Sequence, residues 1–498
     1  MTTVTKIRTM LSYSDLVKRL LVCLALLALP IPAQTTDQPL KIGSVTVQGS
    51  FRTRLEMWDW FDTGDAGQYA FSGNQLRLNF SQRKKRFDWF FELEAPFLLA
   101  LPEDAVQPVP QGQLALGGTY YAANSRNRFA GMLFPKQGYL RFKNLFGDTR
   151  QSLRVGRFEF SDGAETTPAN ATLAWLKRER VSQRLIGPFG WSHVGRSFDG
   201  VHYVANTKKA NVTFVGALPT RGAFQVDGWG NLNVGFGYLS LNGGFNRGKN
   251  AGDWRLFGIY YQDWRRIVKT DNRSAAARNA DLANIGIGAF GGHYLHTVET
   301  SAGNLDFTFW GVLEAGKWGR LDHRALAGIA EAGWQPNFAP RLKPWLRAGY
   351  SHTSGDSNPN DNRHETFFQF LPTPRPYART PFFDMINNND LSASLLLRPH
   401  RSITLRSEFH SLSLAQANDQ WVLGGGAFQP WTFGYVGRPS GGAQSLANLW
   451  DINADWTINP HYSATLYYSR SPSKSVIRNI YPGATSANFA YVELNYKF

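Results

Sequence analysis

Basic side chains recur at alternate positions in several segments of this chain whose other positions are apolar or small. In the stretch 45–58, Arg52 and Arg54 follow this pattern. Because successive side chains of a β-strand point to opposite faces, alternate cations share one face. A guanidinium can hold a carboxylate through two parallel hydrogen bonds. A face of this kind is therefore suited to binding an anionic solute.

These alternating cations define a set of candidate solute-contacting residues. They are Arg52, Arg54, Arg77, Arg141, Lys143, Arg157, Arg347 and Arg406. Arg157 reaches the same face only if the chain kinks at Gly156. The sequence leaves open the alternative that the cations pair with acidic residues of their own face and brace a wall. Those acidic residues are Glu56, Glu92, Glu94, Glu314, Glu408, Asp451, Asp455 and Glu493.

Other constellations that could do chemistry give weaker signals. The stretch 356–361 has oxygen ligands at alternate positions, as a calcium loop does, but it lacks the glycine and the distal glutamate of an EF-hand, which favours a solvated turn. His364-Glu365 lacks the second histidine of a zinc protease, and no Gly-x-Ser-x-Gly elbow occurs. We therefore predict no catalytic residues, no metal site and no cofactor. A barrel enzyme acting on outer-membrane lipid stays an alternative.

The elements that would carry the cations are strands with one apolar and one polar face. The stretch 45–58 alternates in this way without a break, and comparable segments follow to the end of the chain. The polar faces carry many charges, which need water, so the enclosed space must be wet. The pattern predicts an all-β protein, a transmembrane antiparallel β-barrel of about 18 strands.

The lengths of the predicted connections sort by position along the chain. Short connections alternate with long ones, as in barrels with short periplasmic turns and long extracellular loops. The connections 242–253 and 318–322 depart from this rule. The stretch 165–195, in the third long loop, could form a short amphipathic helix that folds into the pore or caps its rim. Which long loop gates the pore is not decided by the sequence.

The N-terminal residues indicate export. Basic residues from Lys6 to Arg19 precede an apolar run from Leu20 to Leu29 and then Pro-Ile-Pro-Ala, which predicts a signal peptide over 1–33 and a barrel over 34–498. The only cysteine, Cys23, lies inside this leader, so the mature chain has no disulfide and no thiol nucleophile. No mature segment reaches the roughly 18 apolar residues of a spanning helix.

The net charge of the chain indicates which class of partner the barrel binds. The chain has a formal charge of +16, and removing the leader, with four basic residues and one acidic, leaves 16 − 3 = +13. Export argues against nucleic acid, so anionic solutes or lipid headgroups are the predicted partners. The stretch 490–498 alternates apolar and polar residues and ends on Phe498. It resembles the terminal strand that the bacterial barrel-assembly machinery recognises, which predicts that machinery as a further partner.

Three stretches of the mature chain resemble the alginate-export family of bacterial outer-membrane proteins. They are Arg154-Val155-Gly156-Arg157, the stretch from Lys177-Arg178-Glu179-Arg180 to Val201, and Tyr350 to Pro359 with Asp361, Thr366 and Phe367. The resemblance implies an 18-stranded barrel whose Arg-rich constriction passes an anionic polysaccharide, such as alginate, through the bacterial outer membrane. An uptake porin for small molecules is the alternative that the sequence leaves open.

Overall fold

The computed structural model describes residues 39–373 and 376–498. The predicted signal peptide, 1–33, lies outside the described residues. Within the described residues, eighteen strands form a closed antiparallel barrel, as the alternating pattern predicts. No helix in these residues is long and apolar enough to cross a membrane.

The barrel strands are long, and their bounds agree closely with the period-two segments of the sequence. They are β1 (Val45–Asp59), β2 (Gln68–Arg83), β3 (Phe87–Leu99), β4 (Phe134–Lys143), β5 (Gln151–Phe158), β6 (Phe198–Asn206), β7 (Ala210–Pro219), β8 (Val234–Arg247), β9 (Asn250–Asp263), β10 (Ile285–Thr300), β11 (Gly303–Trp318), β12 (Leu321–Pro336), β13 (Trp345–Thr353), β14 (Asn388–His400), β15 (Ile403–Leu414), β16 (Ser445–Thr457), β17 (Tyr462–Pro472) and β18 (Ser486–Lys497). Each strand pairs with the next, and β1 closes the barrel against β18 from Ser50↔Lys497 to Asp59↔Asn488.

Shorter elements lie in the connections. The helices are α1 (Ala115–Ala123), α2 (Ala171–Leu176), which continues into a π turn (Lys177–Val181), α3 (Ala275–Ala280) and α4 (Ser475–Ile480). Single 3-10 turns occur at Gly64–Ala66 and Leu145–Gly147, and short strands at Leu40–Ile42, Ala130–Gly131, Arg363–His364, Gln420–Gly424 and Tyr435–Pro439. The last two strands form a hairpin separate from the barrel.

The two faces of the strands differ as the sequence predicts. Leu55, Leu313 and Trp450 are exposed on the outer face, where lipid would cover them. Their neighbours on the inner face, such as Arg54 and Glu314, are buried. An outer apolar face and an inner charged face are what a barrel in a bilayer requires, because only the lumen can hydrate charge.

Connection lengths alternate between the two ends of the barrel. We call the end with 84–86, 144–150, 207–209, 248–249, 301–302, 337–344, 401–402 and 458–461 the turn end, and the opposite end the loop end. The predicted exception at 242–253 is absent, because β8 and β9 extend to a two-residue turn at 248–249. The exception at 318–322 is confirmed, because 319–320 is a two-residue connection at the loop end.

The lumen is not empty, because several long connections fold inward and form a core. At the loop end, Phe61 stacks on Tyr481 with ring centroids 6.0 Å apart, and Trp60 stacks on Trp421 at 6.3 Å. These rings come from three different connections between strands. The connection 159–197 also turns inward, and most of its residues from Val181 to Ser197 are buried. Any solute must pass beside these segments.

Candidate functional site

Arg54 extends from β1 into the lumen and is fully paired there. Its guanidinium contacts Glu493 of β18 at 2.5 Å and Glu56 at 3.3 Å. It also lies over the ring of Trp191, 4.6 Å from the centroid. Arg54 is 2% exposed. It therefore joins the first strand, the last strand and the inward connection.

Arg52 also lies in the lumen but has weaker acidic partners. Its guanidinium donates to the carbonyl oxygens of Gly190, at 2.8 Å, and Ser192. The closest carboxylate, that of Glu493, is 4.0 Å away. The backbone of the connection 159–197 thus takes most of the hydrogen bonds of Arg52, whose positive charge is only partly neutralised.

Arg77 is enclosed by three carboxylates. It lies 2.9 Å from Glu94, 3.1 Å from Glu159 and 3.6 Å from Glu92. Lys136 of β4 shares this network, 3.5 Å from Glu94. Such a network favours the wall-bracing interpretation for Arg77.

Arg347 pairs with two buried carboxylates. It donates to Asp306 of β11 and lies 2.9 Å from Glu331 of β12. Both carboxylates are less than a tenth exposed. A buried charge that loses its partner is costly, so the role of Arg347 in holding these strands is independent of any solute.

Arg406 meets a carboxylate that a loop supplies. Its guanidinium lies 3.4 Å from Glu179 of the π turn and 3.9 Å from Glu408. It also lies over the ring of Trp175, 5.3 Å from the centroid. The Nε of Arg406 is buried and has no hydrogen-bond partner among the described residues. Arg406 is therefore incompletely satisfied by its surroundings.

Arg141 and Arg154 lie directly opposite each other on β4 and β5, near the turn end. In the described part of the chain, no carboxylate comes within 4.0 Å of either guanidinium. Arg154 lies over the ring of Tyr139 instead, at 4.6 Å. The nearby acidic residue, Asp88, is bound by Lys143 at 2.7 Å. This lumenal row therefore keeps an excess of positive charge.

Arg157 differs from the other candidates, because it faces outward. It pairs across the strands with Asp199, which it binds through two hydrogen bonds of 2.7 Å. The same cross-strand row continues to Phe91 and Leu218, both exposed on the outer face. Gly156 has a positive φ of 125°, yet the alternation continues through it. The kink that would have turned Arg157 inward does not occur.

The π turn carries cations that alternation could not reveal. Arg180 contacts Glu331 at 2.7 Å and Glu408 at 3.7 Å. Burial alone would lower the pKa of Arg180, but these carboxylates raise it above its ordinary value. Burial lowers the pKa of Lys177 despite its contact with Asp253 at 2.9 Å. The run of charged residues 177–180 was the only feature of the sequence that could have indicated these lumenal cations. It belongs to a helix that packs inside the lumen.

The tip of the same connection is held by a buried histidine. His193 Nε2 lies 2.9 Å from Glu56, and its backbone N–H donates to the hydroxyl of Tyr120 at 3.1 Å. Burial lowers the pKa of His193 to about 4, so the ring is neutral near pH 7. The third long loop therefore folds into the lumen. The sequence had left open whether it folds into the pore or caps its rim.

The remaining constellations of the sequence form backbone turns and a contact between two histidines. In 356–361, the side-chain oxygens of Asp356 and Asn358 accept hydrogen bonds from backbone N–H groups two residues on. They form the turns that the sequence favoured over a calcium loop. His364 meets His323, with their Nδ1 atoms 2.9 Å apart. In the ranges that the structure describes, no group of three or more His, Cys, Asp or Glu residues could hold a metal ion.

We compared the chain with models of protein families and with curated proteins. A sequence model of the family described as alginate export matches residues 44–473. A search of curated proteins found no match.

Solved structures similar to this chain are outer-membrane barrels. The outer membrane protein OpdK of Pseudomonas aeruginosa is 9% identical, over 91% of this chain and 98% of its own, with a TM-score of 0.54. OccAB2 of Acinetobacter baumannii is 9% identical, over 92% and 99%, with a TM-score of 0.57. OccAB4 of the same organism is 10% identical, over 94% and 100%, with a TM-score of 0.54. Identities this low establish the shared fold alone.

Proposed function

The chain belongs to the alginate export family, and we propose from this premise that it conducts an anionic polysaccharide such as alginate across the bacterial outer membrane. The coarser function, an outer-membrane channel for solutes, follows from the family and the barrel fold. Membership in an export family supports transport rather than catalysis.

The observation that carries the proposal is the pair Arg141 and Arg154. Both point into the lumen near the turn end, and no carboxylate among the described residues neutralises them. Fixed cations in a narrow lumen raise the local concentration of anions. A polymer carboxylate could bind one guanidinium and then the next, because neither contact displaces a strong protein partner.

The paired arginines would serve the channel in another way. Arg77 and Arg347 hold neighbouring strands through buried carboxylates, so they fix the shape of the wall. Arg52 and Arg406 are intermediate, since their contacts with carboxylates are 3.4 Å or longer. We propose that the solute contacts Arg52, Arg141 and Arg406 together with Arg154.

Recording from single channels in planar bilayers tests this proposal. Replacing Arg141 and Arg154 together by Gln should move the reversal potential in a salt gradient away from anion preference. It should also raise the concentration of oligouronate that half-blocks the current. A matched control replaces the exposed Arg247 and Lys249 by Gln, which removes the same charge outside the lumen and should change the reversal potential much less.

Two results would contradict the proposal. Wild-type selectivity and block in the double variant would mean that these arginines do not contact the permeating anion. Passage of neutral sugars without any block by oligouronate would favour the alternative, a porin for small solutes. Swelling of liposomes that contain the channel measures that passage directly.

A further inference from the structure

The outer wall at the loop end of β10, β11 and β12 carries basic residues. The connection 319–320 between β11 and β12 is only two residues long, so these two strands are joined by no long loop. Lys317 pairs with Asp322 across the strands, and both side chains are more than half exposed. Arg324 and Arg363 are exposed beside them. Among the described residues, neither Arg324 nor Arg363 has a carboxylate within 4.0 Å.

Strand register shows that these cations face outward and lie in two adjacent rows above apolar side chains. The top row runs Gly286↔Lys317↔Asp322↔Arg363. The next row places Gly288, Ala315 and Arg324 side by side, and the third row Phe290, Leu313 and Leu326. Phe290 and Leu313 are 63% and 62% exposed, which marks the surface that lipid covers. The cations therefore lie at the boundary between the apolar belt and the headgroups.

Small residues leave a shallow depression between the two levels. Gly288 and Ala315 have no side chain beyond Cβ, whereas Tyr260, whose hydroxyl lies over Gly286, projects from the wall on one side and Leu326 on the other. An acyl chain could lie in this depression while an anionic headgroup meets the cations above it. The arrangement thus matches a lipid that carries several negative charges close to its acyl chains.

The side of the membrane identifies the lipid. In outer-membrane barrels the long connections lie outside the cell, which places this patch in the outer leaflet. The anionic lipid of that leaflet is a phosphorylated glycolipid, and phosphates are good partners for exposed guanidinium groups. We propose that Lys317, Arg324 and Arg363 bind the phosphates of lipid A, a function separate from conduction through the lumen.

Binding of purified lipids to the detergent-refolded, lipid-free barrel tests this assignment by native mass spectrometry. The probes are bisphosphorylated lipid A, dephosphorylated lipid A and phosphatidylglycerol. Replacing Lys317, Arg324 and Arg363 together by Gln should weaken binding of bisphosphorylated lipid A about 100-fold, since each cation contributes roughly fivefold. The variant Lys84→Gln, Lys85→Gln, Arg86→Gln removes the same charge at the turn end and should bind as the wild type does.

Each other outcome contradicts the proposal. These are wild-type affinity in the first variant, an equal loss in the turn-end variant, and equal binding of phosphatidylglycerol or dephosphorylated lipid A. Should the triple variant fold poorly, Arg324→Gln alone serves, with an expected loss of roughly fivefold. Because no carboxylate among the described residues lies within 4.0 Å of its guanidinium, that single change leaves no buried charge.

Discussion

Lumenal arginines differ in what their removal would leave behind. Arg347 separates the buried carboxylates of Asp306 and Glu331. Changing Arg347 to Gln should cost about 3–5 kcal/mol of unfolding free energy, because it leaves buried charge without its partner. Arg141→Gln, at an exposed site, should cost at most about 0.5 kcal/mol. Denaturant unfolding in lipid bilayers, followed by tryptophan fluorescence, measures both values, and equal losses would contradict the division into bracing and solute-contacting residues.

The sequence could predict the face of an arginine but not its partners. The alternation of polar and apolar residues predicted that Arg54 and Arg347 point into the lumen, because only one face of each strand meets water. It also indicated that Arg157 faces outward, and the kink invoked to turn it inward does not occur. Partners such as Glu179 come from an inward connection. Loops have no period from which such contacts could be inferred.

Connections that fill the lumen should respond to pH through buried carboxyls. Asp384, in the connection 354–387, accepts a hydrogen bond from the hydroxyl of Tyr377 at 2.9 Å. Burial raises its pKa to about 7, whereas in an unpacked chain it ionises near pH 4. Between these values the packed loop binds a proton that the unpacked loop lacks, so its packing weakens as pH rises toward 7. Asp356, whose pKa burial raises to about 6, acts in the same direction.

Limited proteolysis of this connection measures that effect. Cleavage within 354–387 should be slower at pH 5 than at pH 8 in the wild type. Asp384→Asn should reduce the difference, because an amide carries no ionisable proton. Ser274→Ala, at an exposed site in another connection, controls for general effects of substitution. An unchanged pH dependence in Asp384→Asn would exclude Asp384 as the responsible group.

Phe498 pairs with the first barrel strand, β1, through its backbone and its ring. Phe498 and Gly49 exchange backbone hydrogen bonds of 3.0 and 3.1 Å, and the Phe498 ring occupies the space where a side chain at residue 49 would lie. Deleting Phe498, or replacing Gly49 by Val, should reduce the amount of heat-modifiable barrel in the outer membrane several-fold. Gly237→Val is the matched control, because open space surrounds Gly237. Normal assembly of both variants would mean that this contact is dispensable.

Strand ends were predicted well where apolar residues alternate and poorly where glycines interrupt them. In β8 and β9, the rings of Trp254 and Phe245 cover Gly243 and Gly252. Aromatic side chains can thus supply the packing that glycines lack. In the sequence the same glycines suggested a long connection at 242–253, although both strands extend to 248–249.

The net charge of the whole molecule is distributed unevenly along the barrel axis. The sequence predicted an anionic partner from the excess of +13, but it could not place the charge. The basic residues of the turns are Lys84, Lys85, Arg86, Arg150, Lys208, Lys209, Lys249, Arg341, Lys343 and Arg401. The acidic residue in those turns is Asp148, which Arg150 binds at 3.0 Å. A large part of the excess therefore surrounds one mouth of the channel.

This asymmetry should make block by a polyanion depend on the side of addition. Cations around the turn end attract a negative polymer toward that mouth and speed its association. Oligouronate added there should half-block the current at a concentration about 10-fold lower than from the loop end at low salt. The difference should disappear near 1 M salt, where the Debye length is about 3 Å. A cysteine at exposed Asn358, labelled with an impermeant thiol reagent, establishes the orientation of each channel.

A variant with Lys84, Lys85, Lys208 and Lys209 changed to Gln separates the mouth from the lumen. Its block from the turn end should approach that from the loop end, because the attracting charge is gone. Its reversal potential should change little, since Arg141 and Arg154 still face the lumen. Capture at the turn end is the step that export from the periplasm requires. Stronger block from the loop end in the wild type would instead mean that the polymer enters from outside the cell.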